Sequence, residues 1–218
     1  MDAEAFARAL GVSRETLSDF ETWRGLLARW NARINLMAPG EVDRFWRRHA
    51  LDGAQIVDAM PDDALTWLDL GSGGGVPGLA IAFRLKTRPG AEVHLVESNQ
   101  KKVAFLRAVI RETGAPAVVH AQRIEDAIVP SPDVITARAL APLDKLLSYA
   151  HRFAVSHTQM AFLKGRSASD ELTQARAHWH MSVETHPSRS NPDGVCLAIR
   201  GLRHHDRERS RAAHSIDR

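Results

Sequence analysis

The sequence lacks the features that mark several classes of protein. It has one cysteine and one tyrosine among 218 residues, and its charges nearly cancel at a formal +3. A lone cysteine, Cys196, excludes an internal disulfide and a cysteine-based zinc site, and the scattered histidines predict no metal site. No run approaches the roughly 18 apolar residues of a membrane span, and residues 1–4 lack the pattern of a signal peptide. We therefore expect a cytoplasmic protein that does not bind membranes.

The composition is that of an ordinary globular domain, with 44% apolar and 25% charged residues. The chain divides into a helical extension at 1–60, an α/β domain at 61–202 and a tail at 203–218. The last 18 residues hold five arginines against three acids, and Ile216 is the only large apolar residue beyond Leu202. This tail is predicted to be basic and disordered in isolation.

The first 60 residues predict helices only. Five apolar residues recur at spacings of three and four, which indicates one buried helix face: Phe20, Trp23, Leu27, Trp30 and Ile34. A break at 39–40 precedes a further predicted helix at 41–59.

Short β-rich runs then alternate with helical segments. The runs lie at 65–70, 92–97, 117–120, 133–137 and 160–164, and the clearest helix between them, at 98–113, is predicted to be capped by Ser98. Such alternation predicts a parallel sheet covered by helices on both faces. Two last runs, at 181–185 and 195–200, predict an antiparallel hairpin with a long loop.

A glycine-rich turn, at 67–78, follows the first predicted strand and opens a helix. Its Gly73-x-Gly75-x-x-Gly78 pattern fits a dinucleotide site, and Glu97 lies 19 residues further on, where an acid could bind ribose hydroxyls. On this pattern alone, NAD is a reasonable ligand.

Two residues of the turn favour a different ligand. Asp69 places a carboxylate just before the first glycine, where it would repel a pyrophosphate, and Pro77 lacks an N–H for phosphate binding. A cationic ligand without phosphates, such as S-adenosyl-L-methionine, suits Asp69 better.

At this point the sequence resembles the 16S ribosomal RNA guanine-N7 methyltransferases, also called glucose-inhibited division protein B. The matching motifs run in order from residue 30 to 165: Trp30-Asn31 with Asn35-Leu36, Arg48-His49-x-x-Asp52, the turn 69–78, Lys101-Lys102-Val103-x-Phe105-Leu106-Arg107, Arg123-Ile124-Glu125, Arg138-Ala139 and Leu163-Lys164-Gly165. Gly53 stands where the family usually has Ser, Ala137 where it usually has Ser, and Met37 where it usually has Thr. The first two departures could loosen hydrogen bonding near the site.

The resemblance implies a class I S-adenosylmethionine-dependent methyltransferase fold. This is a Rossmann-like, mostly parallel sheet with a C-terminal antiparallel hairpin and an N-terminal helical extension. Together, the turn and the resemblance predict these cofactor-binding residues: Asp69, Gly71, Gly73, Val76, Glu97, Ile124, Glu125 and Arg138. Six further residues are predicted to bind RNA: Arg48, His49, Lys101, Lys102, Arg107 and Lys164.

The implied reaction is methylation of guanine N7 in 16S rRNA, either free or in the small ribosomal subunit, by a monomer. Guanine N7 carries a lone pair and no proton, so we predict no catalytic side chain. Two other functions stay open. A nicotinamide-dependent oxidoreductase fits the glycine spacing but lacks a recognisable catalytic pair, and a non-catalytic RNA-binding module leaves the glycine turn unexplained.

Overall fold

A computed structural model of the protein, which describes residues 1–34, 36–38 and 40–205, contains a seven-stranded sheet. The strand order is β3-β2-β1-β4-β5-β7-β6. The first five strands are parallel, whereas β7 is antiparallel to both of its neighbours. This confirms the predicted fold class. The strands are β1 (Thr66–Leu70), β2 (Glu92–Val96), β3 (Ala117–His120), β4 (Val134–Arg138), β5 (Gln159–Lys164), β6 (Trp179–Pro187) and β7 (Val195–His204).

The central strand β1 shows why the sheet is buried on both faces. Alternate side chains of a strand point to opposite faces, and Trp67 belongs to one apolar core while Leu68 and Leu70 belong to the other. The first core is shared with the N-terminal helices. Strands buried on both faces carry few polar residues, which is why they could be recognised as apolar runs.

Within the described residues, seven α-helices flank the sheet or form the extension. The long helix between β2 and β3 is capped by Asn99, whose side chain accepts from the N–H groups of Lys101 and Lys102, so the cap lies one residue after the predicted Ser98. The helices are α1 (Ala3–Leu10), α2 (Arg14–Ile34), α3 (Asp52–Ala54), α4 (Gly78–Leu85), α5 (Gln100–Thr113), α6 (Leu143–His151) and α7 (Ala168–Ala175). None of the helices in the described part of the chain is long and apolar enough to cross a membrane.

The N-terminal extension packs on the sheet through the predicted stripe. Phe20, Trp23 and Leu27 are fully buried, and Trp30 and Ile34 pack partly buried against the same core. The prediction of a single helix at 41–59 is wrong. Residues 41–44 form turns, Trp46–Leu51 is a π-helix, α3 follows, and Gln55–Ala59 is a 3-10 helix. The tertiary contacts of this segment, described below, select these irregular turns over one regular helix.

The C-terminal hairpin is longer than predicted. Arg203 and His204, assigned to the tail from the sequence, pair with His180 and Trp179 in β6. Their strand position comes from cross-strand pairing, which the local composition does not indicate. The remainder of the predicted tail, 206–218, lies outside the described residues.

Candidate active site

The glycine-rich turn joins the carboxyl end of β1 to α4. Gly71 and Gly73 adopt left-handed backbone angles, with φ of 69° and 54°, which glycine adopts without a steric penalty. The N–H groups of Gly71 and Ser72 donate to the carbonyl of Val96 at 2.9 and 3.1 Å. These bonds hold the turn against the end of β2.

Glu97, at the end of β2, fixes the turn from the other side. Its Oε2 accepts from the N–H of Gly73 at 2.9 Å, and its Oε1 accepts from the N–H of Asn99 at 2.8 Å. The side chain is almost buried, at 8% exposure. A carboxylate has about four acceptor positions, so Glu97 keeps capacity for further donors.

Asp69 lies beneath the turn and faces the protein interior. Its Oδ2 accepts from the N–H of Gly78 at 3.2 Å, and its Oδ1 accepts from the hydroxyl of Thr136 at 3.0 Å. Burial raises the pKa of this carboxyl to about 7. The structure therefore gives Asp69 the role of joining β1, β4 and α4 under the turn, rather than a place on the surface where a ligand would lie.

The first of two cavities at this sheet edge, the turn cavity, encloses about 360 Å³ beside the glycine turn. Five of the eight predicted cofactor residues line it: Gly71, Glu97, Ile124, Glu125 and Arg138. Tyr149, which the sequence did not indicate, also lines it and donates its hydroxyl to Glu125 at 3.1 Å. The other three predicted residues, Asp69, Gly73 and Val76, lie outside its lining.

Arg138, at the end of β4, is held by the N-terminal extension. Its Nη1 donates to Asp52 Oδ2 at 2.8 Å and to the carbonyl of Arg48, and its Nη2 contacts His49 Nδ1 at 3.2 Å. Asp52 Oδ1 in turn accepts from the hydroxyl of Ser190, in the β6–β7 loop, at 2.5 Å. The extension holds the guanidinium of Arg138 directly, and the β6–β7 loop holds it through Asp52, although both lie far from β4 in the sequence.

His49 is an internal partner of Arg138 in this structure. Its side chain is 2% exposed, which places it away from any RNA that approaches the surface. Arginine has no acceptor, so Nδ1 must be the unprotonated nitrogen and Nε2 carries the proton, 3.3 Å from Glu41 Oε2. Burial and, to a smaller degree, the charge of Arg138 lower the pKa of His49 to about 4, which keeps the ring neutral.

The second cavity, the loop cavity, encloses about 250 Å³ between the extension, β5 and the β6–β7 loop. Arg48, Asp52, Lys164 and Ser190 are among its lining residues. Arg138 and the next residue, Ala139, line both cavities. Arg138 thus borders the two spaces.

The other residues predicted to bind RNA fall in different settings. Lys164 lines the loop cavity, but its side chain is only 10% exposed and its Nζ lies 2.5 Å from a carboxylate oxygen of Glu171. Arg48 lines the same cavity at 46% exposure. On α5, Lys101 and Arg107 are exposed, and Lys102 lines the turn cavity.

Sequence reasoning missed the contribution of the β6–β7 loop. Ser188 and Ser190 reach the extension, where they bond to Gln55 and Asp52, and Arg189 bonds to Asp58. Asp52 stood in a recognised motif, which could have indicated its role. The serines of the loop carry no comparable signal.

Comparison with known proteins identifies the family. Residues 16–192 match the family model of rRNA small subunit methyltransferase G. The chain belongs to this family. It is 48% identical over 204 residues to ribosomal RNA small subunit methyltransferase G of Parvibaculum lavamentivorans, covering 93% of this chain and 90% of that protein. The enzyme of the same name from Rhodospirillum centenum is also 48% identical, over 197 residues, covering 90% of this chain and 89% of that protein.

Solved structures share the fold at low sequence identity. A SAM-dependent methyltransferase from Aquifex aeolicus has a TM-score of 0.56 at 14% identity and covers 76% of this chain and 98% of its own. PigF with SAH has a TM-score of 0.58 at 14% identity, and the match covers 74% of this chain and 58% of that chain.

Family membership confirms that the protein is an S-adenosylmethionine-dependent methyltransferase that acts on ribosomal RNA. Neither the oxidoreductase nor the non-catalytic module is supported.

Proposed function

We propose that this methyltransferase transfers a methyl group from S-adenosyl-L-methionine to N7 of a guanine in the 16S rRNA of the small ribosomal subunit. The observation that carries this proposal is the position of Arg138, which lines both cavities and whose guanidinium is held by Asp52 and His49. We assign the cofactor to the turn cavity and the target nucleotide to the loop cavity.

The turn cavity suits the cofactor. Gly71 leaves room at its wall, since a Cβ there would lie 2.7 Å from the Leu140 side chain. Glu97 offers a carboxylate for ribose hydroxyls, and the backbone at Ile124 and Glu125 begins a 3-10 helix, whose first N–H groups have no partner within the helix. These residues and Arg138 would hold the cofactor, which supplies an electrophilic methyl group when bound.

Asp69, Gly73 and Val76 contribute in another way. Asp69 and Gly73 shape the turn that forms the cavity, through the Asp69 bond to the N–H of Gly78 and the Gly73 bond to Glu97, and Val76 is buried in the apolar core. Their effect on cofactor affinity is therefore indirect.

The side chains around the loop cavity orient the substrate and remove no proton. Asp52 is occupied by Arg138 and Ser190, and Lys164 by Glu171. Guanine N7 needs no base, so positioning of the two reactants can supply about 7 to 11 kcal/mol of barrier lowering. Arg48 is the exposed cation best placed to hold a phosphate of the target nucleotide.

We further propose that the protein works in the cytoplasm as a monomer. The cofactor residues and the Arg138 network come from one chain, so the proposed site needs no second copy.

The target atom can be tested with 7-deazaguanine in the substrate RNA, which replaces N7 by C–H and keeps the Watson–Crick edge. RNA binding should stay unchanged, because phosphates dominate affinity, and methyl transfer should vanish. The matched control is the same RNA with guanine. Normal methylation of the 7-deaza RNA would show that another atom is the target, while the family assignment would stand.

The pH profile gives a second readout on the same substrate. Because N7 has no proton to lose, the single-turnover rate should vary little between about pH 6.5 and 8.5 when the cofactor is saturating, so that the titration of Asp69 near pH 7 affects only binding. A rate that rises tenfold per pH unit would instead point to a nucleophile that must be deprotonated.

A further inference from the structure

The helices α2 and α5 pack antiparallel, and their ends at the glycine turn carry positive charge. At one end, Lys86 bonds to Asp19 of α2 and to the carbonyl of Thr113 in α5. At the other end, the ring of Trp30 packs edge-on against Phe105, with centroids 5.8 Å apart. The last turns of α2 therefore lie beside the first turns of α5.

Both helices lack acids in this region. Residues 29–34 and 100–107 include five arginines and lysines and no aspartate or glutamate. The whole chain, by contrast, has a formal charge of only +3. The positive charge is thus concentrated on this surface, which we call the basic face and define by Arg29, Arg33 and Lys101.

The cations of the basic face are exposed, and they form no ion pair with the described residues. Within residues 1–34, 36–38 and 40–205, neither Arg29, Arg33 nor Lys101 has a carboxylate within 4.0 Å. Other arginines do have such partners, for example Arg84 with Asp58 at 2.8 Å and Arg166 with Asp193 at 2.6 Å. Unpaired guanidinium groups remain available to phosphates.

The basic face adjoins the proposed active site. Trp23 of α2 donates its Nε1–H to the carbonyl of Gly74, in the glycine turn, at 3.1 Å. Lys102, the neighbour of Lys101, lines the turn cavity. At the end of α2, Trp30 and Ile34 border a largely apolar cavity of about 450 Å³ that Arg29 and Arg33 also line. Cations around an apolar and aromatic floor are the usual means of holding single-stranded nucleic acid.

We propose that the basic face binds the sugar–phosphate backbone of the substrate RNA next to the target nucleotide. This inference rests on the proposed function, and it adds Arg29 and Arg33 of the extension to the cations predicted on α5. The extension would then serve as part of the RNA-binding surface as well as a support for Arg138.

The test is the double variant Arg29→Ala/Arg33→Ala, with a small-subunit rRNA transcript as the probe. Each lost phosphate contact should lower the slope of log affinity against log salt by about 1, so the double variant should lose a slope of about 2. Over a fourfold rise in salt, the wild type should then lose roughly 16-fold more affinity than the variant.

The matched control is Arg14→Ala/Arg24→Ala, which removes two exposed arginines from the same helix. Arg24 lies about 140° and 180° around α2 from Arg29 and Arg33, and Arg14 lies about four turns away from Arg29. The control should keep the wild-type slope. The variant Arg29→Lys/Arg33→Lys should restore most of it, because the charges are retained.

Two outcomes separate this inference from the proposed function. An unchanged slope in the Arg29→Ala/Arg33→Ala variant, with unaltered thermal unfolding, would overturn the basic face as an RNA surface even if the enzyme methylates guanine N7. If the slope falls as expected while the 7-deaza RNA is methylated normally, the surface stands and the N7 assignment fails. Cofactor affinity, measured by calorimetry, should be the same in all four proteins.

Discussion

Replacing Asp52 by asparagine should slow methyl transfer far more than it unfolds the protein. The substitution keeps the size of the side chain and removes the charge that faces Arg138 at 2.8 Å. One oxygen remains to accept from Arg138, and the amide can donate to Ser190. The guanidinium therefore keeps a neutral partner but loses its charged one.

The expected magnitudes follow from this geometry. A hydrogen bond between charged groups contributes about 1.5–3 kcal/mol, and the side chains of Arg138 and Asp52 are 21% and 16% exposed, so solvent lowers this to about 1–2 kcal/mol of folding stability. Misplacement of a positioning group by about 1 Å costs up to ~100-fold in rate. We therefore expect kcat to fall about 10- to 100-fold in Asp52→Asn, and further in Asp52→Ala.

The assay measures kcat and KM for the RNA, the cofactor dissociation constant and the thermal midpoint together. The matched control is Asp58→Asn, since Asp58 also links the extension to the β6–β7 loop, through Arg189 at 3.3 Å, and pairs with Arg84 at 2.8 Å. Asp58 borders neither of the two cavities. Its variant should lose some stability and keep wild-type kcat. Equal loss of kcat in both variants, or wild-type kcat in Asp52→Asn, would refute the role of Asp52 as a positioning residue.

Two further predictions concern the turn. Gly73→Ala should weaken cofactor binding at least ~10-fold, because an alanine in a left-handed conformation strains the turn and its bond to Glu97. The control Gly114→Ala, with a similar φ of 63° at the end of α5, should leave cofactor affinity unchanged. Calorimetry measures both affinities, and equal values would contradict the assignment of the turn to cofactor binding. The pKa of Asp69 is raised from 3.8 to about 7, so between these pH values the folded state keeps a proton that the unfolded state has lost. The unfolding free energy should therefore fall by up to about 4 kcal/mol as pH rises through that range. The pKa of His49 is lowered from 6.5 to about 4, so His49 raises the unfolding free energy as pH rises between those values. The Asp69 effect is therefore measured as the difference in unfolding free energy between wild type and Asp69→Asn, from denaturant unfolding at pH 4.5 and 7.5. A constant difference would contradict the burial of a titrating carboxyl at 69.

The fold could be predicted because its strands carry their own signal. A central parallel strand such as β1 is buried on both faces, so it must be a short apolar run, and the turn after it needs glycines at 71 and 73. The irregular segment at 46–59 could not be predicted, since its geometry depends on contacts to Arg138 and to the β6–β7 loop.

The site was predictable where residues follow the ends of neighbouring strands. Glu97 follows β2, Ile124 lies in the loop after β3, and Arg138 ends β4, so the topology brings all three to the turn cavity. The direction in which a side chain points is harder to predict from sequence. Asp69 and His49 were expected at the surface of the site, but their neighbours bury them, and burial depends on the assembled core rather than on local pattern.

The departure at Gly53 explains how the extension reaches the site. A Cβ at this position would lie 2.8 Å from Ala80 Cβ and 3.1 Å from Pro77 Cα, so a larger residue would need a shift of α3 away from the turn and α4. The adjacent Asp52 lies within 2.8 Å of Arg138, and its second oxygen accepts from the hydroxyl of Ser190. The glycine thus permits close contact between the extension and the glycine turn, and the expected loosening of hydrogen bonds at this position stays a prediction. Arg138 is held from the extension and from the C-terminal hairpin at once, so both additions to the parallel sheet contribute to the geometry of the site.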